Sequence, residues 1–109
     1  MLATMRVLHV FKTYYPDSFG GIEQVIKQLC TGTAPWGVST QIFTLSRQAR
    51  TLPVFHDGAT TVIRAQTHIE MASTPMSFAA FSAFSTAVQQ ADLIHYHYPW
   101  PFGDLLHLL

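Results

Sequence analysis

The chain is poor in charge and contains no long apolar run. Charged residues make up 11% of its 109 residues, whereas about a quarter is usual for a soluble domain, so part of the surface is expected to lie against something else. Lysine plus arginine and aspartate plus glutamate each number 6, which argues against a nucleic-acid or anionic-membrane surface. The longest uncharged stretch, Met71 to Ala91, contains Pro75 and eight serine, threonine or glutamine residues, so it is too polar for a membrane span.

Cysteine is almost absent as well. The single cysteine, Cys30, has no partner for a disulfide within the chain, and we interpret it as a small core residue. A single cysteine without a disulfide partner fits a protein of a reducing compartment. No secretory signal is recognisable, because Lys12 and Pro16 interrupt the first apolar run.

What is present is organised around Met5 to Leu29, which predicts a strand, a loop ending in two glycines, and a helix. Arg6 to Phe11 is almost continuously apolar, as is typical of a strand buried on both faces of a parallel sheet. Strand, glycine turn and helix place backbone N–H groups toward a polar or anionic ligand. We therefore assign Gly20 and Gly21 as candidate ligand-binding residues, and a plain helix-entry turn is the alternative. The helix carries one apolar stripe: Ile22, Val25, Ile26, Leu29 and Cys30.

Strands and helices alternate along the rest of the chain. We predict a strand at Val38 to Leu45, a hairpin from Val54 to Arg64, a connector from Gln66 to Pro75, a helix at Met76 to Ala91 with a phenylalanine stripe, a strand at Asp92 to Tyr98, and a helix that begins at Gly103. This order predicts an α/β fold with a Rossmann-like, doubly wound, mostly parallel sheet and helices on both faces. The last helix stops midway along its apolar side, so we expect residues 1–109 to form a single, incomplete domain.

Three common functions of α/β proteins lack their motifs here. A dinucleotide site needs three spaced glycines, and only the Gly20-Gly21 pair is present. A phosphate-binding Walker loop needs a Gly-Lys-Ser/Thr ending, which is missing. A phospho-acceptor receiver domain needs acidic residues after the first strand, where Lys12 and Thr13 stand instead. These absences disfavour all three functions.

Four segments carry a resemblance to a known family. They are Tyr14-Tyr15-Pro16-Asp17 with Gly20-Gly21-Ile22-Glu23, Asp57-Gly58 with Val62-Ile63-Arg64, Ala72-Ser73-Thr74-Pro75, and Asp92-Leu93-Ile94-His95-Tyr96-His97 followed by Pro99 and Pro101. In this order they resemble the amino-terminal, acceptor-side domain of GT-B glycosyltransferases of family 4, also called group 1. The resemblance runs along essentially the whole chain.

The resemblance implies a two-domain enzyme that transfers a sugar from a nucleotide-sugar donor to a cell-envelope polysaccharide or glycolipid acceptor. In such enzymes the second domain holds most of the donor, and neither a metal ion nor another cofactor is needed. We carry over no catalytic residue, because the family's cleft histidine has no matching position in this sequence. The alternative function is a stand-alone α/β binding or interaction module without catalysis.

The resemblance also gives an expectation for location, and the residues near the end of the chain give one for assembly. We expect a cytoplasmic hexosyltransferase, with peripheral contact at the inner face of the membrane in the full enzyme. The 109 residues alone should be inactive, because the donor-holding domain is absent. They should also self-associate through the last strand and four leucines near the end of the chain: Leu105, Leu106, Leu108 and Leu109.

Aromatic and histidine residues lie in the last predicted strand and just after it. His97, Tyr98 and Trp100 are candidate ligand-binding residues: His97 has either a cleft or a structural role, and the two aromatic rings either stack on a sugar or cap the sheet edge. His95 and His97 share one face of the strand. No third metal ligand is close in sequence, so we predict no metal site. His9, inside the first strand, is interpreted as a hydrogen-bonded core histidine.

Overall fold

The computed structural model describes residues 5–49, 51–71, 74–76 and 80–108. The strands in this part of the chain are β1 (Met5–Val10), β2 (Val38–Ser46), β3 (Val54–Asp57), β4 (Thr60–Gln66), β5 (Ile69–Met71), β6 (Thr74–Met76) and β7 (Leu93–Tyr96). The helices are α1 (Gly21–Thr33), α2 (Ala80–Gln89) and α3 (Pro101–Leu108), and a short 3-10 turn (Ala34–Trp36) leads into β2. None of the described helices is both long and apolar enough to span a membrane.

Five strands form the main sheet, in the order β3-β4-β2-β1-β7. β4, β2, β1 and β7 are parallel, and β3 is an antiparallel strand joined to β4 by the predicted Asp57-Gly58 hairpin. The mostly parallel α/β sheet predicted from the sequence is thus confirmed. Because the parallel strands run the same way, the segments that follow β1, β2, β4 and β7 meet at one side of the sheet, which we call the carboxyl edge.

Each face of the sheet carries its own apolar core. Successive strand residues point to opposite faces, so the neighbours Ile42 and Phe43 belong to different cores. On one face, α1 contributes Ile26 and Cys30, which confirms the core role predicted for the cysteine. The other face is covered by α2 and α3, with Phe84 of the predicted phenylalanine stripe buried there. Helices therefore lie on both faces of the sheet, as expected.

The helices differ from the prediction in their details. α3 begins at Pro101 rather than at Gly103, because proline is well tolerated in the first turn of a helix. α2 begins at Ala80, because Met76 belongs to strand β6; Phe78 of the predicted stripe lies outside the described residues. On α1, Val25 is 49% exposed although its spacing placed it on the apolar stripe. Each residue turns the helix by about 100°, so with Ile26 and Cys30 facing the sheet, Val25 falls at the margin of the buried face.

The predicted connector from Gln66 to Pro75 contains additional structure. β5 lies within it, and β6 begins there, and the two strands pair antiparallel as a separate small sheet. Each of these strands has only three residues. So short a segment shows no recognisable alternation of apolar and polar residues, which is why the sequence did not reveal it.

The last strand and helix bear on the predicted self-association. β7 lies at an edge of the main sheet, and Leu93, Leu105 and Leu108 are exposed. Leu106, which we expected to be uncovered, is buried in the core beneath α2 and α3, because it lies on the side of α3 that faces the sheet. Leu109 lies outside the described residues. Self-association of the chain stays a prediction.

Candidate functional site

A polar pocket of about 540 Å³ opens at the carboxyl edge. It is built by the residues that directly follow β1, β2 and β4, and its lining is Lys12, Thr13, Pro16, Asp17, Leu45, Ser46, Arg47, Gln48 and Thr67. A volume of this size suits a small organic ligand. Sequence reasoning did not identify these residues as a group. The signal for them was their position, since polar residues directly follow the first two predicted strands: Lys12 after the first and Ser46 after the second.

The glycine pair lies at the start of α1, on the same edge. Gly20 is the N-cap, with φ −71° and ψ 179°, and Gly21 is the first helical residue. A Cβ added to Gly20 would meet Oε1 of Glu23 at 3.1 Å, whereas one added to Gly21 would meet no atom within 4 Å. The protein's own packing therefore explains the glycine at position 20 and leaves the space in front of Gly21 open.

Glu23 completes this helix start. Its side chain is buried, and Thr13 Oγ1 donates a hydrogen bond to its Oε2 at 3.1 Å. Burial acts to raise the pKa of the Glu23 carboxyl, but hydrogen bonds from Ser18, Thr13 and the backbone N–H groups of Gly20 and Glu23 hold that pKa below its ordinary value. A carboxylate that reaches back to the N-cap N–H is one half of a capping box, and Gly20 has no side chain to supply the other half.

The cap determines which donors remain at the helix start. An α-helix supplies no acceptor for its first N–H groups. Here the side-chain carboxylate of Glu23 accepts hydrogen bonds from the backbone N–H groups of Gly20 and of Glu23 itself. Within the part of the chain that the structure describes, the N–H groups of Gly21 and Ile22 have no acceptor, so both are available to a ligand. Because the fixed carboxylate is close by, this position favours a neutral hydroxyl group over a second anion.

We expect Glu23→Gln to change how stability depends on pH. Because the folded-state pKa is lowered, the stabilisation from the charged carboxylate is present above the ordinary value of 4.5 and is lost as pH falls through the folded-state pKa. The variant should lose about 1–2 kcal/mol of unfolding free energy near neutral pH, and the difference from wild type should narrow under acid conditions. Urea denaturation across this range measures it. A difference that stays constant with pH would contradict the assignment.

Three histidines cluster where β1 meets β7. His9 is 3% exposed, and its Nδ1 lies 3.0 Å from Nε2 of His97. Burial, together with the neighbouring histidines, lowers the pKa of both His9 and His97 to about 4. Both rings are therefore uncharged near neutral pH, and one donates a hydrogen bond to the other. His9 is the buried, hydrogen-bonded histidine that the sequence predicted.

The two aromatic candidates lie in different surroundings. Tyr98 is exposed beyond the end of β7, and its hydrogen bond to Asp104, with a smaller effect of burial, raises the pKa of the phenol. Trp100 is 2% exposed and packs in the core with Phe102. Position 103 is a glycine at this contact: a Cβ there would approach the Trp100 ring to 2.8 Å. The Trp100 ring is thus part of the core in this structure, and sugar binding by Trp100 stays a prediction.

A buried arginine fixes one wall of the pocket. Arg64 Nη1 donates to Asp17 Oδ1 at 3.3 Å and to Ser46 Oγ at 3.2 Å. Its remaining donors reach the backbone carbonyls of Leu52, at 2.9 Å, and Gln48, at 3.3 Å. These bonds tie the loops after β1 and β2 to strand β4, so Arg64 holds the pocket-lining residues in place.

Comparison with known proteins gives two close relatives, while no protein-family model matches the chain. O-antigen chain mannosyltransferase C of Escherichia coli is 48% identical over 104 residues, which is 95% of this chain and 28% of that protein. D-rhamnosyltransferase WbpZ of Pseudomonas aeruginosa is 45% identical over 105 residues, which is 96% of this chain and 27% of that protein. The chain therefore spans little more than a quarter of the length of these curated relatives.

Proposed function

We propose that this chain is the acceptor-side portion of a glycosyltransferase that assembles a cell-envelope polysaccharide or glycolipid. The observation that carries the proposal is the likeness to a mannosyltransferase and a rhamnosyltransferase along nearly the whole chain. The four segments that resemble the amino-terminal domain of family 4 GT-B enzymes support the same class. The mostly parallel sheet with helices on both faces fits that architecture.

The carboxyl edge is the part of the chain that we propose to hold the acceptor. Its pocket combines the cationic side chains of Lys12 and Arg47 with the acceptor oxygens of Asp17 and Gln48. Sugar hydroxyl groups both donate and accept hydrogen bonds, so they suit a lining of mixed character. The helix start at Gly21 adds backbone donors at a position where a neutral hydroxyl is preferred.

The donor is proposed to be a nucleotide-activated hexose or 6-deoxyhexose. The two relatives are named for mannose and for rhamnose, which are sugars of these classes. In the GT-B arrangement, the remaining part of the enzyme would contribute most of the donor site. We place the protein in the cytoplasm, with the acceptor presented at the inner face of the membrane.

The full-length protein encoded by the gene should transfer sugar, and residues 1–109 alone should not, because they provide one side of the cleft. Both proteins are incubated with a membrane fraction and with nucleotide-activated mannose or rhamnose. Nucleotide release and incorporation of labelled sugar are measured together, and boiled membranes serve as the control.

Two outcomes would count against the proposal. Absence of transfer by the full-length protein with every donor, combined with saturable sugar binding, would favour the alternative of a binding module. Transfer by residues 1–109 alone would contradict the assignment of these residues to the acceptor side of a larger enzyme.

A further inference from the structure

We propose that His9, His95 and His97 form a binding site for a divalent transition-metal ion of the Zn²⁺ type. The site is distinct from the polar pocket, and the inference does not rest on the proposed sugar transfer. The sequence offered only the His95-x-His97 pair, from which we predicted no metal site. The third histidine, His9, comes from a strand far away in the chain, and the proposal replaces that prediction.

The parallel pairing of β1 and β7 brings the three side chains together. His9 is the register partner of His95, and the N–H of His97 continues the ladder to the carbonyl of Val10 at 2.9 Å. His95 and His97 are two residues apart and lie on one face of β7. The same face of β1 carries His9. All three imidazoles therefore project on one side of the seam between the two strands.

The distances are close to those of a metal site. One ring nitrogen from each histidine lies within 4.8 Å of the other two, and His9 Nδ1 and His97 Nε2 are 3.0 Å apart. Nitrogens bound tetrahedrally to Zn²⁺ at about 2.0–2.1 Å would be roughly 3.3 Å from one another. The His9–His97 pair needs to open slightly, and His95 needs to turn inward.

A hydrogen bond between His9 and His97 does not explain why the His95 ring lies beside them. The bond between His9 and His97 is complete without it, yet the His95 ring stacks on His97 with centroids 4.1 Å apart and planes 18° apart. The side chain of His95 is exposed, so its ring can rotate at little packing cost. With an ion bound, the His95 ring would turn from its stacked position and supply the third nitrogen ligand.

The donor set indicates the class of metal. Among the residues that the structure describes, this group consists of three imidazoles, with neither a carboxylate nor a thiol. Imidazole suits Zn²⁺, Co²⁺, Ni²⁺ and Cu²⁺, whereas Mg²⁺ and Ca²⁺ prefer oxygen ligands. Three protein ligands leave one tetrahedral position for water or for another small ligand. A bound ion would also link edge strand β7 to its one neighbour in the main sheet.

The test is a titration of the full-length protein with Zn²⁺ and, separately, with Co²⁺. A preparation without a polyhistidine tag is used, because a tag would bind both ions. Calorimetry should give one Zn²⁺ per chain, and the visible absorption of bound Co²⁺ should show tetrahedral nitrogen coordination. His95→Ala should weaken Zn²⁺ binding about tenfold or more, and His97→Ala should do the same.

The matched control is His56→Ala, which removes an exposed histidine of β3 that lies outside the cluster. This variant should bind Zn²⁺ as the wild type does. Melting temperatures show whether each variant is folded, and the exposed position of His95 makes its variant the decisive one. Absence of saturable binding, or binding that persists in both His95→Ala and His97→Ala, would overturn the proposal. So would an equal loss in His56→Ala, since it would indicate non-specific binding by surface histidines.

Discussion

The Gly21→Val variant of the full-length protein should keep the wild-type melting temperature and lose transfer activity by about tenfold or more. The fold tolerates a side chain at this position, because an added Cβ meets no atom within 4 Å and Gly21 is not among the residues with positive φ. Valine is also no worse than glycine as a helix residue. Its methyl groups would occupy the open space in front of the first-turn N–H groups, where we propose that the acceptor binds.

Gly32→Val is the control for this experiment. Gly32 lies near the other end of the same helix and is equally exposed, and an added Cβ there also meets no atom within 4 Å. The same exchange should leave activity unchanged. Melting temperature and the initial rate of transfer are measured for both variants. Full activity in Gly21→Val with an unchanged melting temperature would remove the glycine pair from the site and favour the plain helix-entry turn.

The second large effect should come from Arg64→Met, which we expect to lower the free energy of unfolding by about 2–4 kcal/mol. The Arg64 side chain is 4% exposed, and its donors satisfy the carboxylate of Asp17, the hydroxyl of Ser46 and two backbone carbonyls. Methionine fills similar space but removes the donor from the buried Ser46 hydroxyl and from three partly buried acceptors. The lining of the polar pocket should loosen at the same time.

Lys27→Met provides the comparison, since it also replaces a basic member of an ion pair with methionine. Lys27 Nζ lies 2.8 Å from Asp57 Oδ2, but the lysine side chain is 48% exposed. Such a pair contributes about 1 kcal/mol or less. Urea denaturation of wild type and both variants gives the two differences. Equal losses in the two variants would contradict the importance that we assign to burial of Arg64.

The sequence predicted those elements whose signal is local. The apolar run of β1, the two glycines at the start of α1 and the Asp57-Gly58 turn each specify a short stretch of backbone, and each was found where expected. The spacing of apolar residues in α1 did not indicate which residues at the edge of the apolar stripe are buried. It placed Val25 and Ile26 on one stripe, but the position of the helix over the sheet decides which of the two is buried.

The features that sequence reasoning missed depend on long-range pairing. His9 and His97 are 88 residues apart, and Arg64 and Asp17 are 47 apart. No pattern within one segment indicates which strands become neighbours, and the three histidines meet only because β7 pairs with β1. The sequence left the surroundings of Trp100 open for a related reason: a large aromatic residue after a strand either lines a cleft or packs in a core. The packing of α3 places the ring in the core here.

The position of β7 has a consequence for the order in which the sheet opens. In the main sheet, β1 has a neighbouring strand on each side, whereas β7 pairs with β1 alone. The two strands are far apart in the sequence, and an ion pair between Arg6 and Asp92 joins one end of the seam between them. Within the described residues, β7 has hydrogen bonds to a neighbouring strand on one side only, and a strand at the edge of a sheet opens more readily than one at its centre. The amide hydrogens of β7 should therefore exchange with solvent when this strand alone opens. The amide hydrogens of the central strands should exchange only when the whole domain unfolds. The three-histidine cluster spans the seam between β1 and β7. A ligand bound to it would therefore slow hydrogen exchange in β7 more than in any other strand.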